Sequence, residues 1–246
     1  MERGPGPLSR ATRDAQASRF DPASLSELDE PVRRYFAHAL QPGAAPSSGV
    51  RLEMTGRIDV GVWLAFAAGW EGDGRSFVWK ARSGPGPLRV LHVTDRFADG
   101  AGSMDIRLLG RVRLLLADDE DTTRSAAGRT AAESIWTPGS LLPARGVRWR
   151  AESDELIVAG WDLPPERAEL RLRIDEHGTV RSVCVMRWDN GRHGRHGYIP
   201  CGGDVHAERR FGELTIPTRL TIGWWYGTPR YKPFFECDIT SAVPVR

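Results

Sequence analysis

The sequence predicts an α+β fold: one strongly curved antiparallel sheet, with a helix ahead of it and a second helix laid across its middle. Three observations carry this. From Val50 onward, apolar and polar residues alternate with period two over most of the chain. Short turn signals such as Glu71-Gly72-Asp73-Gly74 and Asp99-Gly100-Ala101-Gly102 separate these segments, which is the spacing of a meander and not of βαβ units. One polar, alanine-rich stretch breaks the run near its middle and ends in Glu133-Ser134-Ile135-Trp136-Thr137-Pro138-Gly139-Ser140-Leu141-Leu142-Pro143.

The elements follow in chain order. Residues 1–20 lack periodicity and read as a disordered tail, leaving 21–246 as a single domain. A helix is predicted over 24–40. Ser24 and Glu27 stand at capping-box spacing, Asp29-Glu30-Pro31 is a second start signal, and Val32, Tyr35, Phe36, Ala39 and Leu40 share one face. Pro42-Gly43 ends it. Strand patterns then run through Val50–Thr55, Val62–Phe66, Phe77–Ala81, Leu88–Val93 and Met104–Leu109.

The acidic run Asp118-Asp119-Glu120-Asp121 reads as a helix N-terminus, where negative charge suits the dipole. The helix it opens, near 122–136, is rich in Ala, Ser and Thr, so it can approach a surface closely but buries little apolar area. After Pro143 strands resume at 147–150, 155–159, 168–174, 180–188, 211–217, 220–225 and 234–239. Glu169 to Asp175 gives the clearest alternation, with one face apolar and one charged. The sheet should hold about eight to eleven strands.

Composition narrows the function. The chain has 246 residues, 40% hydrophobic and 27% charged, and its 34 basic and 32 acidic residues leave a net charge of +2. That balance gives no reason to expect nucleic acid or an anionic membrane surface. No stretch is long enough for a membrane span, so membrane insertion is not expected. Cys184, Cys201 and Cys237 are odd in number and widely spaced, which suits a reducing compartment. The N-terminus has arginines but no apolar core of a signal peptide. A cytoplasmic protein is the expectation. There is no phosphate loop, dinucleotide fingerprint, G-x-S-x-G or H-E-x-x-H, and no cofactor is implied.

Several residues that carry the pattern also resemble a known family. They are the helix ending in Arg33-Arg34-Tyr35, the strands bearing Trp79 and Asp95, Asp99-Gly100-Ala101-Gly102-Ser103-Met104, the block Glu133 to Pro138, and Phe211-Gly212, Ile216-Pro217 and Gly223-Trp224. Together, over about 27–240, they resemble an actinobacterial family of unknown function. The layout also resembles the half-barrels of lipoprotein carriers such as LolA and LppX. That resemblance implies a concave, apolar pocket. Some half-barrels of this kind are cofactor-free enzymes of natural-product pathways. The chain departs from the carriers in lacking their export signal, and the stretch Asp189 to His206 departs from the family pattern.

Candidate site residues follow from residue chemistry. Nine Trp is a high count, and they either fill the concave side as core or line a cavity for an apolar or aromatic small molecule. Trp79, Trp136, Trp149, Trp188, Trp224, Tyr198 and Tyr226 are the substrate-binding candidates. Glu133 beside Ile135-Trp136 is the first acid–base candidate, because a carboxylate in apolar surroundings has a raised pKa. The competing reading pairs it with Arg129 at i−4. Asp95 and His196 are the other catalytic candidates. His193, His196, Cys201 and His206 have metal-ligand chemistry, but their loose spacing argues against a metal site. The glycine-rich stretch Asp189 to Asp204 reads as a mobile lid at the pocket mouth. The function expected is a cofactor-independent cyclase or isomerase of secondary metabolism. The alternative is a non-catalytic carrier of an apolar small molecule.

Overall fold

The computed structural model describes residues 19–45, 47–84, 88–191 and 196–245. The tail 1–18 and His193 therefore lie outside the described residues. Six strands precede the crossover: β1 (Gly49–Asp59), β2 (Trp63–Gly72), β3 (Phe77–Gly84), β4 (Leu91–Ala98), β5 (Ala101–Leu108) and β6 (Val112–Ala117). Seven follow it: β7 (Arg148–Ala151), β8 (Leu156–Leu163), β9 (Glu166–Ile174), β10 (Val180–Asn190), β11 (His196–Phe211), β12 (Leu214–Trp224) and β13 (Lys232–Val245). All join in one sheet of order β6-β5-β4-β3-β2-β1-β13-β12-β11-β10-β9-β8-β7. Each half is an antiparallel meander, and the halves meet where β1 pairs with β13, Gly49 opposite Val245 and Ile58 opposite Phe235. β6 and β7 are the free edges, so the sheet is not closed into a barrel.

The expected helices are present with shifted starts. Helix α1 spans Glu30–Ala39, and Pro22–Leu25 forms a separate 3-10 turn capped by the Asp21 side chain, which accepts from Ala23 N. The first-turn Pro31 has no N–H to continue a helix from upstream, so the predicted single helix over 24–40 is split. Asp29 stands at the N-cap, yet its carboxylate accepts from Ala151 N at 2.7 Å and ties the helix to the end of β7. The predicted face is buried: Val32, Tyr35, Phe36 and Ala39 are in the core. Tyr35 and Phe36 pack on Trp149, with ring centroids 5.6 and 5.4 Å away.

Helix α2 spans Glu120–Glu133 and continues as a 3-10 turn over Ser134–Trp136. Asp119 is its N-cap and accepts from Thr122 N at 2.7 Å, as the acidic run implied. The helix carries the chain from β6 at one edge to β7 at the other. It packs against β4 and β5 on one flank and β9 and β10 on the other. A Cβ added at Gly102 of β5 would lie 2.8 Å from Ala126 Cβ, and one added at Gly128 of the helix 2.9 Å from Arg187 Cγ. The sheet is therefore curled so tightly that one helix touches both halves, and glycine is needed at each contact.

Two strands were not legible as strands. β6 is exposed along most of its length and shows no alternation. β11 contains most of the stretch expected to be a mobile lid. Residues 196–204 instead pair with β10, from His196 opposite Asn190 to Asp204 opposite Ser182. Gly202 and Gly203 serve close packing. A Cβ at Gly202 would lie 2.1 Å from Val183 O, and one at Gly203 1.8 Å from Thr221 O. Missing side chains let β10, β11 and β12 bend against one another, which is how a sheet coils this strongly. Only residues 192–195 of the lid lie outside the described residues.

Gly203→Ala is thus expected to destabilise the fold by about 3 kcal/mol through backbone displacement. Gly139→Ala, which meets nothing within 4 Å, should stay within about 0.5 kcal/mol of the parent. Denaturant midpoints of the two variants check this, and equal midpoints would refute the curvature argument.

Candidate functional site

Register sets the helix-facing side of the N-terminal half. Trp70, Trp79, Asp95 and Met104 lie opposite one another across β2 to β5. Helix α2 lays Arg129 and Glu133 on this row. Arg129 Nη1 donates to Asp95 Oδ2 at 2.6 Å, and its Nε donates to Glu133 Oε1 at 2.7 Å. Trp70 Nε1 donates to the other Glu133 oxygen at 2.8 Å. The guanidinium also stands 4.8 Å from the Phe77 ring centroid and 5.0 Å from that of Trp79, within cation–π range. Trp136 meets Trp70 edge-on at 5.3 Å. The indole N–H groups of Trp79 and Trp136 are buried with no protein acceptor, an unusual load of donors beside an ion pair.

Burial pushes the Glu133 carboxyl above the usual carboxylate range; Arg129 and the Trp70 indole oppose that shift without cancelling it. Both catalytic carboxylate candidates therefore share one arginine. His196 does not join them. It stands exposed at the start of β11, against Gly191.

The aromatic candidates fall into separate places. Trp79 and Trp136 belong to the Arg129 cluster. Trp188 and Tyr198 form a second cluster at the N-terminal end of α2, ring to ring at 5.2 Å. There Arg124 lies over Trp188 at 3.6 Å and donates to Glu166 Oε1 at 2.7 Å and to Tyr198 Oη at 2.7 Å. Tyr198 in turn donates to Glu166, and Trp188 Nε1 to Asp121 Oδ1 at 2.8 Å. Trp224 stacks on Phe234 at 5.3 Å, with Arg187 5.1 Å from its ring. Tyr226 donates to Asp204 Oδ1 at 2.6 Å, away from these groups. Trp149 lies under α1, its Nε1 bound to Leu141 O. The seven aromatics do not converge on one pocket.

The residues that organise the site are arginines that residue chemistry alone did not single out. Arg129 was visible as the i−4 partner of Glu133. Arg124 and Arg187, whose Nε donates to Ser125 O at 3.0 Å, had no such signal, because their partners come from distant strands. Cys201 is buried and His206 is exposed on Thr221, and among the described residues no three metal-capable side chains gather. No helix among the described residues is long and apolar enough to cross a membrane.

Space is distributed unlike the expected aromatic pocket. A depression of about 640 Å³ lies on the outer face, around Arg51, Glu53, Glu71 and Lys80. Between α2 and β9–β11 only about 30 Å³ remains. The concave face is instead open as a strip. Beyond the Asp95 row, the same face carries Ala81, Val93, Ile106 and Leu115, then Ser83, Leu91, Leu108 and Val112. Leu91, Val93, Ile106 and Leu108 are half-buried, and Val112 and Leu115 are exposed. Ile222 and Trp224 of β12 and Ile58 of β1 are also half-buried.

The chain belongs to DUF6920, a family of unknown function whose model matches residues 26–243. No curated protein sequence matches it. Among solved structures it is similar to a DUF1329 family protein from Desulfovibrio piger, with a TM-score of 0.46 and 9% identity over 80% of this chain and 86% of that one. It is also similar to a LolA superfamily protein from Nitrosomonas europaea, with a TM-score of 0.43 and 8% identity over 82% and 87% of the two chains.

Replacing Arg129 by Met strands two carboxylates in a site where their side chains are 5% and 11% exposed. The expected loss is about 3–5 kcal/mol at neutral pH. In that variant Arg129 no longer opposes the burial of Glu133, so its folded-state pKa stands above its unfolded value. Stability should then be recovered as pH falls below the raised value and lost as pH rises through it. Urea midpoints measured across pH, with Arg129→Met/Asp95→Asn/Glu133→Gln as the neutralised control, check the sign. A midpoint for Arg129→Met that does not rise on acidification contradicts the assignment.

Proposed function

We propose that the protein binds an apolar small molecule on the open strip of its concave face and holds it without changing it. One observation carries this reading. Leu91, Val93, Ile106 and Leu108 lie on the helix-facing side of the sheet, yet neither helix covers them fully. A contiguous apolar surface inside a curved sheet, left partly wet, is a place where a ligand removes area from water at about 25 cal/mol per Å². Trp224, with Phe234 stacked behind it, supplies an aromatic wall. The ligand is apolar or aromatic, because the strip is built from aliphatic side chains.

In this reading Arg129, Asp95 and Glu133 are a clamp for α2. The cyclase or isomerase reading has Glu133, with Asp95, as acid or base. It is supported by the upward displacement of the Glu133 pKa and weakened by the commitment of both carboxylates to Arg129. Their separation is a chemical question. A bound metabolite recovered unaltered supports the carrier, and one recovered as an isomer supports the enzyme.

Binding of the fluorescent probe N-phenyl-1-naphthylamine tests the strip directly. Ile106→Asp/Leu108→Asp places two carboxylates there and should weaken probe binding by roughly a hundredfold. Far-UV circular dichroism should be unchanged. If the probe binds this variant as tightly as the parent, the strip is not the binding surface.

A further inference from the structure

The N-terminal half of the sheet ends in tips of opposite character. At the end where β2 meets β3 and β4 meets β5, the connections are acidic and polar, with Asp73 accepting from Ser76 N and an Asp99-Gly100 turn. At the other end they are apolar. The β1–β2 connection is Val60-Gly61-Val62 followed by Trp63, Leu88 leads into β4, and Leu109-Gly110 turns β5 into β6. Val60, Val62, Leu88, Leu109 and Val112 each leave more than half of their surface in solvent. Turns are ordinarily built from Gly, Asn, Asp, Ser and Pro, so large aliphatics in the β1–β2 and β5–β6 turns, with Leu88 exposed ahead of β4, call for an explanation.

Leu109 sharpens the point. Leu109 and Gly110 have φ of 51° and 71°, and Asp99 and Gly100 have 53° and 73°. The two turns share one backbone conformation, in which Asp or Asn is tolerated and a leucine is strained by about 1–2 kcal/mol. The same chain uses Asp at one end of the sheet and Leu at the other. Leu109 gains no burial in return, since 63% of it is exposed. Fold stability therefore does not account for it.

Charge completes the pattern. Arg82, Arg89 and Arg111 are exposed beside these tips, and among the described residues they enter no ion pair. Among the described residues two of the nearby acids are neutralised, Asp105 by Arg107 and Arg113 and Glu236 by Arg57, while Asp59 of the β1–β2 tip caps Gly61 N without an ion pair. Arg57 also lies over the Trp63 ring at 4.8 Å, and Arg230 over Trp225 at 4.4 Å in the adjoining β12–β13 connection. Apolar tips flanked by free guanidinium groups match the two layers of a lipid surface: acyl chains beneath, phosphates above. A net charge of +2 for the whole chain conceals this, because it says nothing of where the charges lie.

We propose that this end of the half-barrel docks on an anionic lipid bilayer. Val60, Val62, Leu88 and Leu109 enter the headgroup–acyl boundary, and Arg82, Arg89 and Arg111 lie on lipid phosphates. The proposal goes beyond small-molecule binding and does not depend on it, although the open strip ends at the same tips.

The test is sedimentation of the full chain with vesicles of phosphatidylcholine alone or mixed with phosphatidylglycerol. The parent should pellet with the mixed vesicles, and the pelleted fraction should fall with added salt. Arg89→Glu/Arg111→Glu should lower partitioning roughly thirtyfold or more, and Val62→Asp by about tenfold. Leu109→Asn is the decisive variant. It should lower partitioning while leaving the urea midpoint unchanged or raised, whereas a leucine with a structural role would lose stability. These variants should keep parental binding of N-phenyl-1-naphthylamine, while Ile106→Asp/Leu108→Asp should keep vesicle binding, so the two readings fail separately. The proposal is overturned if the parent does not pellet with anionic vesicles, or if Val62→Asp and Leu109→Asn pellet like the parent. It is equally overturned if light scattering shows a dimer that these substitutions dissociate, which would assign the tips to a second copy of the chain.

Discussion

A single connection governs the architecture. The first meander ends at one edge of the sheet and the second begins at the other, so the chain must cross the concave face between β6 and β7. A helix with large side chains would hold the two walls apart. Helix α2 is built from Ala, Gly, Ser and Thr where it meets them, with Ala126 against Gly102 and Gly128 against Arg187. Close approach costs it apolar burial, and polar fastenings replace what is missing. Arg124 holds its first turns to Glu166 and Tyr198, Arg187 holds its middle, and Arg129 and Glu133 hold its end to Asp95 and Trp70. Buried ion pairs of this sort add little net stability over apolar packing, but breaking one leaves a charge with nowhere to go. They fix position more than they lower free energy.

That crossing divides the interior. Around α2 the space is filled by Trp70, Trp79, Trp136, Phe77 and Phe97, all almost fully buried. Past the helix the concave face stays partly open, because the crossing segment is one helix wide and the sheet is longer. The strip and the tips are consequences of the same geometry, since both belong to the part of the N-terminal half that α2 does not reach.

Legibility followed sequence distance. The buried face of α1 and the acidic start of α2 could be read because their determinants lie within a turn or two of one another. So could the link between Arg129 and Glu133, four residues apart. The links from Arg129 to Asp95 and from Glu133 to Trp70 span 34 and 63 residues and depend on strand register. No local pattern encodes that register, and so Trp149 and Tyr226 could be grouped with Trp79 although the fold separates them. β6 was missed because an edge strand exposed on both faces has no reason to alternate. β11 was missed for a different reason. Glycine marks either a freely moving backbone or one too crowded for a side chain, and composition alone does not distinguish these.

The seam between β1 and β13 has a bearing on how the molecule assembles. Every other neighbouring pair in the sheet joins strands consecutive in the chain, so each meander can form from contacts close in the chain. The two halves become one sheet only when residues 232–245 lie beside residues 49–59. Loop-closure entropy for that pairing is the largest in the fold, and contacts of such separation form slowly. On a ribosome, the first meander would wait with β1 as an open edge until residues 232–245 had been made. That strand carries inward apolar residues, Leu52 and Met54 among them, so this interval is when the chain is most exposed to wrong pairing. A holdase that shields β1 would therefore favour yield at a stage when neither the strip nor the tips yet have a function.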